Sequence, residues 1–557
     1  MSYLKTLLLA IVYASAASSS PLLGLPSSAP SASPSSVPAA PVPAGQISLP
    51  TAPDPDFASS AEARRQIAAP RFDAANSVRA LNSKYSRYYR RSASLGHPTH
   101  LPGDAPPLLH RRRRLDSRSL AELAKREEDE AREKRLLGTV GDILAGTTGL
   151  LGGVVGTLGA VLFDTNWGVA IASTSNEQAD NEFLTTIGVG TPSQPLQVVF
   201  DTGSSDTWVY SPACCYANDH KFFRPTASTT YSNRTLQNGK PVRARPGQPG
   251  QPWSVSYGGG YTTSSGYIGI DNITLGDSSN TAYPPLQASE VPVALLTSIT
   301  GTSRESRGME GLVGLTPSTA SETDGGWTTP MEKLITDRKI AAPYLSATLV
   351  RANRNTGRGG GGRYVLGAVD TAAVRSGENV AWVNTTSTFY WGTDYSTMRM
   401  GSVDIIPSNT VRRIIIDTGS TLLNLPSAIA SNANKLIKGA WYDNASGIWA
   451  VPCQTGDPTY EAALDPSART PPYWLDIAGS TFGIPALDLV FSPTTPVFPA
   501  NSTSSTNYCY SSIQIGPDAV SIVGGTFLKN HMVTFDWGPA PFRNRRMGFA
   551  NRTDSPI

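Results

Sequence analysis

The tetrapeptide Asp-Thr-Gly-Ser occurs twice in this 557-residue chain, at Asp201-Thr202-Gly203-Ser204 and at Asp417-Thr418-Gly419-Ser420. Each copy follows an apolar run, Val198-Val199-Phe200 in the first and Ile414-Ile415-Ile416 in the second. A short apolar run bounded by turn residues reads as a buried strand. Gly two positions after the Asp permits a sharp turn and a close approach of another chain segment. Thr and Ser add hydroxyls that can hold a carboxylate in place. The copies lie 216 residues apart, so a duplicated fold is the direct way to bring them face to face. Two carboxylates about 3 Å apart cannot both ionise, so one keeps a proton and the other does not. Such a pair can act as acid and base in one step, which a single carboxylate cannot.

The segment Val199-Phe200-Asp201-Thr202-Gly203-Ser204-Ser205-Asp206-Thr207-Trp208 resembles the first active-site segment of the pepsin-like aspartic endopeptidases. Ile415-Ile416-Asp417-Thr418-Gly419-Ser420-Thr421-Leu422-Leu423 resembles the second. Other segments follow in the family's order. Ile187-Gly188-Val189-Gly190-Thr191-Pro192 is similar to the strand pair ahead of the first motif, and Ser256-Tyr257-Gly258-Gly259-Gly260 to the tip of the hairpin flap that covers substrate. Gly311-Leu312-Val313-Gly314-Leu315 and Ile522-Val523-Gly524-Gly525-Thr526-Phe527-Leu528 are similar to the strands that thread behind each Asp loop. Phe535-Asp536 and Met547-Gly548-Phe549-Ala550 resemble the closing strands. The resemblance spans residues 183–551. Departures are Gly525 and Glu310, where many relatives carry Asp, and two or three extra residues around 261–265.

The resemblance implies an all-β, bilobal fold with a cleft between two β lobes, over 183–385 and 386–557. It implies that Asp201 and Asp417 hold the attacking water, one as general base and the other polarising the scissile carbonyl. Ser204 and Ser420 match positions that hydrogen-bond the outer carboxylate oxygens, while Thr202, Thr418, Gly203 and Gly419 complete the supporting loops. Tyr257 matches the flap tyrosine and Trp208 its indole partner; Tyr261 competes for the flap role. Substrate is then an extended protein or peptide segment, and uncharged Gly259 and Gly260 suggest apolar residues on both sides of the cut.

Ahead of the body lie segments of different character. Lys5, an apolar stretch over residues 7–12 and Ala14-Ser15-Ala16 form a secretory signal over 1–16. Residues 18–60 are Ser, Pro and Ala with almost no charge, a composition that does not build a core. The leader as a whole, 17–135, reads as a prosegment. The first 135 residues hold 19 Lys and Arg against 12 Asp and Glu, while the rest of the chain holds 27 against 31. A basic leader on a mildly acidic body suggests an electrostatic latch that acid would loosen, with the prosegment as intramolecular inhibitor. Basic pairs punctuate the leader, and Lys134-Arg135 is the last of them and the expected maturation point. A nucleic-acid role for the Arg run at 111–114 does not fit a chain headed by a signal peptide. Residues 136–182 read as a Gly-rich apolar extension. Its 136–163 stretch has the length of a membrane span, but Asp142 and its Gly content argue against one.

Four cysteines, Cys214, Cys215, Cys453 and Cys509, allow three pairings. Cys453 with Cys509 matches the bridge of the family's C-terminal lobe. Adjacent Cys214 and Cys215 form either a strained vicinal bridge or two thiols. Sequons at Asn233, Asn272, Asn384, Asn444, Asn501 and Asn551 are candidate glycan sites. Phe163-Asp164-Thr165-Asn166 imitates the first motif without its Gly, and the glycine tract 357–363 reads as a flexible loop that opens no helix. Only His220 and His531 lie in the body, too few for a His-rich metal site, and neither metal nor cofactor is expected. The expectation is a secreted, monomeric aspartic endopeptidase made as a zymogen and active in acid. Its competitors are a catalytically silent pepsin-like binding protein and a membrane-attached processing protease.

Overall fold

The computed structural model describes residues 168–557, apart from 178–179, 215–220, 258–261, 302–307, 322, 409, 492–495 and 499–504. The signal peptide, the prosegment, the 136–163 stretch, Gly258, Gly259, Gly260, Tyr261, Cys215 and Asn501 lie outside the described residues. What is described is all-β. Short apolar runs split by Gly, Pro and Asn become strands, and helices such as Pro330–Thr336 and Ser427–Asn434 are brief.

The first half contributes β1 (Ala170–Glu177), β2 (Glu182–Val189), β3 (Gln194–Asp201), β4 (Trp208–Tyr210), β5 (Ser232–Gln237) and β6 (Lys240–Arg243). It continues with β7 (Gln251–Tyr257), β8 (Thr262–Leu275), β9 (Leu286–Gly301), β10 (Gly311–Gly314), β11 (Tyr344–Val350) and β12 (Gly361–Leu366). Among the described residues these twelve join one sheet of fifteen strands. The other three come from later in the chain: Ala381–Asn384, His531–Asp536 and Arg546–Asn551. His531–Asp536 pairs antiparallel with β11, with Leu345 opposite Phe535, so the chain's last strands return to the sheet built by its first half. Between Asn384 and Gly392 the chain leaves that sheet for a second, five-stranded one.

Two stretches differ from the sequence expectation. The extension over 136–182 is not all extension: β1 pairs with both β12 and β2, and Ala170 and Ala172 are fully buried. Small side chains make a weak strand signal in a Gly-rich stretch, although they pack as well as any. Gly361 and Gly362, read as part of a flexible loop, open β12 instead. Their φ angles are 120° and 115°, and a Cβ there would strike the carbonyls of Thr174 and Thr348. Glycine here permits close strand packing rather than mobility.

The core is continuous across both halves. Trp391 packs edge-on against Trp537 at 4.6 Å and Phe535 at 5.2 Å, and its Nε1 donates to the Leu315 carbonyl at 2.9 Å. Thr316 and Thr319 donate to the carbonyls of Phe389 and Thr388. These bonds tie the segment after β10 to the connection between the sheets.

Cys453 and Cys509 are bridged, 56 residues apart in sequence. Closing a loop of that size is worth about 4 kcal/mol in the chain-entropy treatment. Replacing both with Ala is expected to reduce the free energy of unfolding in urea by about that amount. Cys214 is buried.

His531 is fully buried between Phe527 and Phe482, with ring centroids at 4.4 and 5.3 Å, and its Nε2 donates to the Gly483 carbonyl at 2.9 Å. Burial pushes its pKa from 6.5 down to about 3. Between those values the unfolded chain takes up a proton that the folded one refuses, so stability falls as pH drops through that window. His531→Gln keeps an N–H donor and removes the titration. Urea unfolding at pH 6.5 and pH 4 is expected to give a smaller acid loss for this variant than for the parent.

Candidate active site

Each Asp-Thr-Gly-Ser motif sits where the chain leaves one strand and turns, with a third strand threaded behind it. Asp201 ends β3, and β10 runs parallel to β3 with Gly314 opposite Asp201. The Leu315 and Thr316 amides donate to the carbonyls of Asp201 and Ser204 at 2.8 and 2.9 Å. In the second half Arg413–Ile416 leads into Asp417, and Ser521–Val523 lies parallel to it with Val523 opposite Ile416. The Asp417 amide donates to the Val523 carbonyl at 3.0 Å, and the Gly525 amide to Ser420 at 2.7 Å. The same strand, loop and threading strand thus occur twice.

The two loops meet through reciprocal bonds. The Thr202 amide donates to Thr418 Oγ1 at 3.0 Å, and the Thr418 amide to Thr202 Oγ1 at 3.0 Å. Each hydroxyl in turn donates across to the opposite strand, Thr202 to the Ile416 carbonyl at 3.0 Å and Thr418 to the Phe200 carbonyl at 2.5 Å. Four residues, Phe200, Thr202, Ile416 and Thr418, are thereby locked into one near-twofold arrangement.

Within that frame the carboxylates are buried, Asp201 at 2% exposure and Asp417 at 0%. The Gly203 amide donates to Asp201 Oδ1 at 2.8 Å and the Gly419 amide to Asp417 Oδ1 at 2.9 Å. Ser204 Oγ donates to Asp201 Oδ2, and Ser420 Oγ to Asp417 Oδ2. A Cβ on Gly203 would strike the Asp417 carboxylate, and one on Gly419 would strike that of Asp201. Each acid therefore lies against the other loop's glycine. The arrangement presents two carboxylates, each with one oxygen on a backbone amide and the other on a serine hydroxyl. Such an arrangement can offer one protonated and one ionised carboxyl to a water and a carbonyl oxygen.

Trp208 is buried on β4, edge-on to Tyr210 at 5.9 Å. Tyr257 ends β7, opposite Thr262 of β8. Asn384 and Asn444 are exposed, while Asn233, Asn272 and Asn551 are half-buried. Glu310 is buried, and its carboxylate accepts from the Gln197 and Lys221 amides at 2.6 and 3.3 Å.

Several residues around the site carry no motif in the sequence. Tyr364 of β12 is fully buried with its ring 4.9 Å from Phe200. Burial pushes its hydroxyl well above a phenol's usual value, and the charges of Asp201 and Asp417 push it in the same direction. Thr421 Oγ1 donates to the Asn181 carbonyl at 2.7 Å, which fastens the second loop to the β1–β2 turn. That turn is held by Asp180, whose carboxylate meets Lys529 Nζ at 2.8 Å. Lys529 also meets Asp488 at 3.2 Å. Burial raises the Asp180 carboxyl, but the Lys529 ammonium and further hydrogen bonds outweigh it and hold the pKa below the usual value. No local pattern announces a pair 349 residues apart.

Among the described residues no helix is long and apolar enough to cross a membrane. A model of the eukaryotic aspartyl protease family matches residues 182–552. Syncephapepsin of Syncephalastrum racemosum is 30% identical over 359 residues, covering 64% of this chain and 76% of its own. Rhizopuspepsin-2 of Rhizopus niveus is 31% identical over 359 residues, with the same coverages. Endothiapepsin of Cryphonectria parasitica is 27% identical over 392 residues, covering 68% of this chain and 77% of its own.

Proposed function

The chain belongs to the eukaryotic aspartyl protease family, and from that premise we propose that it hydrolyses peptide bonds with Asp201 and Asp417 as the catalytic pair. The observation that carries this reading is the reciprocal placement of each carboxylate against the opposite loop's glycine. Pepsin-like enzymes are the known case of two carboxylates sharing one proton, so the chemistry is taken over from the family. The ionised carboxylate takes a proton from a water whose oxygen attacks the scissile carbonyl carbon. The protonated one gives its proton to the carbonyl oxygen, and a tetrahedral diol forms. The C–N bond then breaks as the first carboxyl returns its proton to the leaving nitrogen, while a diol hydroxyl gives its proton to the second carboxylate and the C=O of the product acid re-forms, which restores the starting pair. The amide and hydroxyl donors on Asp201 and Asp417 keep both groups aimed at the reacting atoms and spare their reorganisation.

Ser204, Ser420, Thr202, Thr418, Gly203 and Gly419 are supporting residues in this reading, and Tyr257 belongs to the flap. The protein is a monomer, secreted as a zymogen whose basic leader rests on the more acidic body until acid protonates the body's carboxylates. Leader removal follows at Lys134-Arg135. The signal-like N-terminus, the disulfide and the exposed sequons Asn384 and Asn444 support a secretory route.

The purified precursor, incubated at about pH 3–4 with denatured protein, is expected to shed its leader and cut the substrate in extended segments between apolar residues. A folded body freed of its leader that leaves the substrate intact would favour a binding scaffold instead.

A further inference from the structure

One carboxylate near the candidate pair has no part in the scheme above. Asp206 lies five positions beyond Asp201 on the same loop and is buried. Ser205 Oγ donates to its Oδ1 at 3.1 Å, and Trp253 Nε1 donates to its Oδ2 at 2.9 Å. Thr323 Oγ1 reaches the same Oδ2 at 3.2 Å. Trp253 belongs to β7 and is itself buried. Asp206 thus joins three segments that no β-ladder joins directly: the Asp201 loop, β7, and the stretch around 323.

The counter-charge comes from β5. Arg234 is fully buried, and its Nη2 donates to the carbonyls of Asp324 at 3.0 Å and Gly326 at 2.8 Å. Its Nε and Nη1 have no hydrogen-bond partner among the described residues. Burial lowers the guanidinium pKa, and the Asp206 charge opposes that shift. Gln251, two residues before Trp253, donates to the same Asp324 carbonyl at 3.0 Å. Buried opposite charges are a costly way to fill a core, and an apolar set of equal volume often does as well or better. What charges and directional bonds add is a single geometry.

We propose that Asp206 is a positioning residue for proteolysis: its carboxylate fixes β7, the strand that runs on to Tyr257, against the loop that carries Asp201. Arg234 holds the 323–326 stretch in the arrangement that lets Thr323 and Trp253 share one carboxylate oxygen. The inference rests on the protease reading of the site. Without the bond to Trp253, β7 must be ordered when peptide binds. That ordering cost falls on bound substrate and transition state alike, so it raises KM and spares kcat.

Trp253→Phe removes the N–H donor and keeps an aromatic ring. With an extended peptide substrate, its KM is expected to rise about tenfold while kcat stays within about twofold. Binding of a non-cleavable peptide isostere, measured by calorimetry, is expected to weaken by the same factor. Thr323→Val, which loses only the hydroxyl donor, is expected to shift KM in the same direction by about threefold and serves if the first variant does not fold. A lowered melting temperature with unchanged KM and unchanged isostere affinity in the folded variants would make Asp206 a stability residue and overturn the proposal. Failure of the parent enzyme to cut any peptide would instead sink the protease reading.

Discussion

Replacing either Asp201 or Asp417 with Asn is expected to lower kcat by about 10⁴-fold or more, with the protein still folded. The amide keeps the shape of the carboxyl group: its oxygen can still accept from the Gly203 or Gly419 amide, and its NH2 can donate to the serine Oγ. It cannot take up a proton from water, and it cannot share one with its neighbour. Positioned proton transfer contributes about 10²–10⁴-fold, and fixed donors to a developing charge about 10²–10³-fold. Both depend on the same two groups here, so losing one disables the pair. Stability is expected to hold, because each variant removes one of two neighbouring buried acids and leaves no new charge unpaired. Steady-state kinetics on a peptide, with thermal unfolding of the same preparations, checks both halves. A variant that unfolds earlier and retains kcat in its folded fraction would make these carboxylates structural.

Gly203→Ala carries the second-largest expected effect. Its Cβ would stand inside van der Waals contact of all three carboxylate atoms of Asp417. Neither partner can yield easily. Gly203 is tied through its own amide to Asp201, and Asp417 is tied to Gly419 and Ser420. The Asp417 carboxylate must move by about 1 Å, a displacement that costs about 10²-fold in rate when it falls on a reacting group. Gly419→Ala is expected to do the same to Asp201. Since the substrate's remote contacts are untouched, kcat should fall while KM changes little. An Ala variant with parental kcat would mean that the carboxylates do not face each other across the glycines.

The candidate pair and its supports were legible in the sequence because the duplication writes them twice. Behind each Asp a run of apolar residues and an invariant order of Thr, Gly and Ser leave little freedom, and the threading segments at Gly311–Gly314 and Ser521–Val523 carry the same apolar signature. The Cys453–Cys509 bridge followed from resemblance, since spacing alone leaves three pairings open. What stayed hidden depends on contacts between distant segments. Lys529 meets its partners Asp180 and Asp488 only because the fold brings distant segments together. Arg234 and Asp206 are buried, although arginine and aspartate seldom are unless paired, and no local pattern in the sequence marks them for it. Tyr364 carries no motif, and only the pairing of β12 with β1 and β11 brings its ring to Phe200, the residue before Asp201. Gly361 and Gly362 failed for another reason: a glycine tract carries no side chain from which to read a strand, while the crowding that excludes a side chain exists only in the assembled sheet.

The most direct test of the shared-proton pair is the pH dependence of kcat/KM on a peptide whose own groups do not titrate across the range. The expected profile is a bell with both limbs below neutral pH. Its acid limb reports loss of the general base, and its upper limb reports loss of the shared proton. No measurable activity should survive in Asp417→Asn at any point of the curve. A rate that climbs through neutral pH, or an Asp417→Asn protein that follows the parent's profile, would contradict the assignment.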